Sequence, residues 1–92
     1  MSYYAKQVDS NQKAIVDALR KIGCSVFVAS TVGKGFPDLV VGKQGETFLV
    51  ECKVKKGRLT PAQEDFQSLW RGGKVIIVRS VEDALSVFGC LN

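Results

Sequence analysis

Two short apolar runs, Leu39-Val40-Val41 and Phe48-Leu49-Val50, flank the polar stretch Gly42-Lys43-Gln44-Gly45-Glu46-Thr47. Runs this short, rich in β-branched residues and broken by a glycine turn, read as the two strands of a hairpin. Strands are expected over residues 38–42 and 47–54, with residues 43–46 as the turn. Alternation along the second strand sends Thr47, Leu49, Glu51 and Lys53 to one face and Phe48, Val50, Cys52 and Val54 to the other. Pro37 fixes the chain as it enters the first of these strands. Closing the turn then lays Asp38 across from the far end of the partner strand, near Glu51 and Lys53.

The remaining sequence supplies layers for this hairpin. A first helix is expected with Asp9 as cap and Gln12 three residues later in a capping-box relation. Ala14, Ile15, Ala18, Leu19 and Ile22 form its apolar face, and Gly23 ends it. Residues 24–29 read as a strand and residues 30–37 as a loop, with Gly33 and Gly35 permitting unusual backbone angles. After the basic turn of residues 55–58, Thr60, Pro61 and Gln63 take the N-cap, N1 and N3 places of a second helix. Phe66, Leu69 and Trp70 are its apolar face, with Trp70 expected in the core, and Gly72-Gly73 stop it. Lys74 to Arg79 contains the run Val75-Ile76-Ile77-Val78, typical of a strand buried on both sides. Ser80 caps a last helix bearing Ala84, Leu85 and Phe88, which Gly89 closes.

The predicted order is α-β-β-β-α-β-α. It implies an α/β fold: an antiparallel meander, then a right-handed helical crossover to a parallel fourth strand. The expectation is one domain over residues 1–92, with a mixed four-stranded sheet flanked by helices.

Composition removes several chemistries. The 92 residues include no histidine, which excludes Ser-His-Asp and Cys-His catalysis and imidazole zinc sites. Cys24, Cys52 and Cys90 are widely spaced and without a CxxC pair, as expected of reduced, core-filling thiols. The net charge of +4 suits a polyanionic partner without requiring one. No apolar leader or membrane-length run is visible, so a soluble cytoplasmic protein of a bacterial or phage-infected cell, with no membrane partner, is expected. Tyr3 and Tyr4 could stack on bases or pack at an interface.

Charges on a central strand are costly unless they are paired or hold a metal, and Glu51 and Lys53 share a face with Leu49. The bland alternatives are a solvated ion pair for these two and a turn-stabilising role for Asp38. If the three converge, the carboxylates of Asp38 and Glu51, with a backbone carbonyl such as that of Cys52, make a hard oxygen site suited to Mg²⁺ or Mn²⁺. Lys53 would then orient or deprotonate a water, or offset developing negative charge. This is the equipment of metal-assisted phosphodiester cleavage. The glycine loop has neither Walker spacing nor GxGxxG, so no nucleotide cofactor is expected.

Gly35-Phe36-Pro37-Asp38 followed by Glu51-Cys52-Lys53 resembles the PD-(D/E)xK nuclease signature. Val32-Gly-Lys-Gly-Phe-Pro-Asp-Leu-Val-Val-Gly42, Leu49-Val-Glu-Cys-Lys53 and Leu59-Thr-Pro-Ala-Gln63 are similar to virus-type replication-repair nuclease (VRR-NUC) domains across nearly the whole chain. The resemblance implies a restriction-endonuclease-like α-β-β-β-α-β core with an added C-terminal helix. It also implies metal-dependent DNA endonuclease activity and a homodimer acting on branched DNA such as four-way (Holliday) junctions. Asp38 and Glu51 would be metal ligands and Lys53 the catalytic lysine.

Relatives often carry an acid on the first helix, where this chain offers Gln12, either a weaker ligand or a helix cap. Gln63 matches a site glutamine of the superfamily, though the Thr60–Gln63 capping box explains it equally. Lys34, Lys55, Lys56 and Arg58 could hold the DNA backbone, or be merely solvated. The competing reading is a weak or inactive basic module that binds DNA or a partner on a nuclease fold.

Overall fold

A computed structural model describes residues 10–89. Its elements run α1 (Gln12–Lys21), β1 (Ser25–Val28), β2 (Leu39–Lys43), β3 (Glu46–Cys52), α2 (Pro61–Leu69), β4 (Ile76–Val78) and α3 (Val81–Phe88). The sheet order is β1-β2-β3-β4, antiparallel at the first two pairings and parallel at the last. Gln44 and Gly45 both have positive φ, +53° and +79°, the mirror-image two-residue turn whose twist suits a hairpin. That turn sets the register Leu39↔Val50, one position inside Asp38 and Glu51.

The two faces of the sheet have different functions. Leu39, Val41, Val50, Cys52 and Val78 lie on one face, against Ile15, Val16 and Leu19 of α1 and Ala84 and Phe88 of α3. All are buried, and Phe48 closes this core edge-on to Phe88 at 5.2 Å between ring centroids. The opposite face carries Glu51 and is capped by α2, none of whose residues is buried. Burial pushes the Cys24 thiol up from its ordinary range, opposed by the nearby Lys43 charge.

Several expectations are corrected. The first helix begins at Gln12 with Asn11 in the N-cap position, while Asp9, with Tyr3, Tyr4 and Cys90, lies outside the described residues. Ala14 is exposed and Val16 is buried in its place, because the helix face is centred on Ile15 and Leu19. Among the described residues, the Ile76–Val78 strand lies at the sheet edge and Ile77 is 36% exposed: the crossover adds the strand outside β3. Trp70 is 43% exposed and outside the core, since α2 ends at Leu69 and the chain turns away extended.

Candidate active site at the end of the central strands

Asp38 is the residue just before β2, and three elements fix it. Its carbonyl accepts from the Ala29 amide at 2.7 Å, which prolongs the β1–β2 ladder by one rung. Its Oδ2 accepts from the backbone N–H of Cys52 at 2.9 Å, across to β3. Pro37 behind it is fully buried, so the turn cannot swing away. The next rung of the register places Asp38 opposite Glu51, and directly opposed residues of an antiparallel pair share a face.

Glu51 and Lys53 are only 1% and 8% exposed. Burying either charge alone would be costly, so a carboxylate and an ammonium two residues apart on one face is the tolerable arrangement. Lys53 sits just past the strand, held by its amide donating to Val78 O of β4 at 3.0 Å. The Cys52 side chain points to the other face and is buried in the core, which leaves its backbone between the two charged residues.

Gln63 joins this group, and the structure merges its two readings. Its Oε1 accepts from the Thr60 amide at 2.8 Å and its own amide donates to Thr60 Oγ1 at 3.2 Å, a complete capping box. Its Nε2 meanwhile donates to Glu51 Oε2 at 2.9 Å. The helix cap therefore aims the amide at the carboxylate. The loop before β2 seats α2 for this contact. Phe36 meets Phe66 edge-on at 5.4 Å, and Gly35, at φ +79°, lies so close to the Ala62 carbonyl that a Cβ there would stand 2.1 Å from the oxygen.

Gln12 is buried at the mouth of α1, and its amide exchanges hydrogen bonds with the Ser30 hydroxyl at 3.0 and 3.2 Å. Ser30 follows Ala29, so this pair borders Asp38, and Gln12 bonds Ser30 instead of capping α1. Lys55, Lys56 and Arg58 form an exposed turn directly beyond Lys53. Lys34 sits apart from that turn, exposed in the glycine loop and lining a groove of roughly 410 Å³ with Ala62, Asp65, Phe66, Leu69 and Trp70 of α2 and its end. Among the described residues, no three of His, Cys, Asp or Glu gather as a metal cluster. The oxygen donors that do converge, Asp38 and Glu51 beside a buried lysine, fit a hard divalent cation.

Two residues here escaped the sequence reading. Asn11 donates from Nδ2 to Lys53 O at 3.2 Å and Arg79 O at 2.9 Å, tying the start of α1 to the ends of β3 and β4. Its N-cap chemistry was legible, but a cap residue that bonds across the fold leaves no local mark. Arg79 was visible only as the end of a strand.

A family model described as archaeal Holliday junction resolvase (hjc) matches residues 5–85. A solved structure described as a VRR_NUC domain is similar at 27% identity and a TM-score of 0.66, covering 88% of this chain and 92% of that one. No curated protein matches the chain.

Proposed function

Since the chain belongs to the archaeal Holliday junction resolvase (hjc) family and has a nuclease fold, we propose that it is a metal-dependent endonuclease cutting branched DNA, four-way junctions above all. The observation that carries this reading is the Asp38–Cys52 hydrogen bond, which brings one acid beside the buried Glu51 and Lys53. Asp38, Glu51 and the Cys52 carbonyl would hold Mg²⁺ or Mn²⁺, with Gln12 at the border of the site. When bound, the cation supplies charge neutralisation at the scissile phosphate and acidifies water.

The protein's own groups do the rest. Gln63 holds Glu51 in one orientation through its Nε2 hydrogen bond. Lys53, nearly excluded from solvent, presents an ammonium that takes up charge developing on the phosphate or handles the proton of the attacking water. Lys55, Lys56 and Arg58 continue the chain beyond Lys53 and contact phosphates of the entering backbone, which fixes position and not sequence. A homodimer would give two such sites for the two strands of a junction.

A second reading is favoured by one observation, that among the described residues only two acids converge where many nucleases have three. By it the chain binds branched DNA without cutting. One experiment separates the readings: purified protein with four-way, flap and linear DNA, in Mg²⁺, Mn²⁺ or EDTA. Cleavage is expected with the metals and none with EDTA. Glu51→Gln and Lys53→Ala should each cut at least about 100-fold more slowly while binding DNA within a few-fold of wild type. Variants that cut normally would sink the assignment, and a wild type that binds but never cuts selects the second reading.

A further inference from the structure

We propose that Arg79 is a positioning residue, clamping the basic turn of residues 55–58 so that its three cations meet the DNA backbone as a fixed unit; this rests on the nuclease reading. The turn follows β3 directly and has one short-range bond of its own, Gly57 N–H to Val54 O at 2.8 Å. Arg79, arriving from the end of β4, reaches three carbonyls with the two N–H groups of a single nitrogen. Its Nη1 lies 3.0 Å from Val54 O, 3.4 Å from Lys55 O and 2.7 Å from Gly57 O. A guanidinium facing a ring of carbonyls is a charge-assisted contact, stronger than its neutral equivalent.

Both ends of this clamp are anchored. The Arg79 amide donates to Asp83 Oδ2 at 2.9 Å, and the Arg79 carbonyl accepts from Asn11, which also holds Lys53 O. The turn is packed against the catalytic lysine itself, since a Cβ added at Gly57 would lie 3.5 Å from Lys53 Cδ. Lys55, Lys56 and Arg58 remain exposed while the carbonyls of Val54, Lys55 and Gly57 are gripped. Like charges crowded into a four-residue turn repel, and loose long side chains lose entropy on binding phosphate. Bonding the turn's carbonyls fixes its backbone, so part of the ordering cost falls before DNA arrives.

Arg79→Ala and Arg79→Lys test this on the full chain. In the first arm, trypsin nicks after Lys55, Lys56 and Arg58 are timed by mass spectrometry without DNA. Arg79→Ala should be nicked about tenfold faster than wild type, because the turn opens locally. In the second arm, initial rates on a synthetic four-way junction give kcat and KM separately. Arg79→Ala should raise KM about fivefold or more at moderate salt and flatten its salt dependence, with kcat within about twofold. Arg79→Lys should recover both, since a single nitrogen serves all three carbonyls and an ammonium has three donors. Unchanged nicking, or faster nicking with unchanged KM, overturns the proposal, as does a fall in kcat alone. A wild type that cuts no DNA fails the nuclease reading instead, and is told apart because the trypsin arm needs no activity.

Discussion

At Gln63 a single carboxamide divides its two ends between helix and site: Oε1 completes the capping box, and Nε2 reaches Glu51. The sequence allowed either role, because a capping box is a local pattern and a contact with β3 is not. Substitution can separate the two roles. Gln63→Glu keeps an acceptor for the Thr60 amide but turns a carboxylate toward the buried Glu51. Like charges so placed should cost stability at neutral pH and distort the site. Gln63→Ala instead loses the Oε1 half of the capping box and the Glu51 contact together, while its backbone N–H can still donate to Thr60 Oγ1. Cleavage should therefore fall further in Gln63→Glu than in Gln63→Ala, despite the better helix cap. Melting curves and single-turnover rates on a four-way junction check this, and equal rates in the two variants would remove Gln63 from the site.

Among the helices, α2 is held least by burial, and its seat on the sheet depends on the loop before β2. Gly33 and Gly35 have similar positive φ, +84° and +79°, but differ in what surrounds them. A Cβ at Gly33 meets nothing within 4 Å, whereas one at Gly35 would meet the Ala62 carbonyl. Gly33→Ala should therefore cost only the left-handed strain, about 1–2 kcal/mol. Gly35→Ala adds displacement of α2, which carries Gln63 away from Glu51. Cleavage should survive the first change and fall about tenfold or more in the second, read with melting temperatures as the control. The elements themselves were legible in sequence. The hairpin, the capping box and the Gly23 stop are all local chemistry that the fold keeps. What was not legible is how elements sit on one another. Val75–Val78 has the apolar run of a doubly buried strand, yet nothing in those residues says that it is the outermost strand among the described residues. Trp70 has helical spacing with Phe66, yet α2 stops one residue short and the two rings stack at 5.3 Å on the surface.

For the molecule as a whole, the two faces of the sheet are unequally covered. Two helices bury the Leu39–Val50 face, and α2 alone covers only the Glu51 end of the other. On that second face the register lines up Phe27, Val40 and Leu49 across three strands, with Phe27 67% exposed. A cavity lined by Phe36, Val40, Leu49 and Trp70 joins this row to α2, where Leu69 is 75% exposed. The border holds both signs of charge, Lys34 with Asp65 and Lys74 with Glu46, so it suits an identical copy better than a polyanion. The proposed homodimer is therefore expected to form here, with the basic turn free for DNA. In such a dimer each copy would contribute Leu69 to the two-fold interface, so Leu69→Arg would act twice. Burying each leucine is worth about 1.5–3 kcal/mol, so the dimer should weaken by about two orders of magnitude or more. Sedimentation should then give twice the chain mass for wild type and the single-chain mass for Leu69→Arg at micromolar concentration. On a four-way junction the variant should leave singly nicked product where wild type makes paired cuts. A wild type that sediments as a monomer, or a Leu69→Arg dimer that still pairs its cuts, would place the second copy elsewhere.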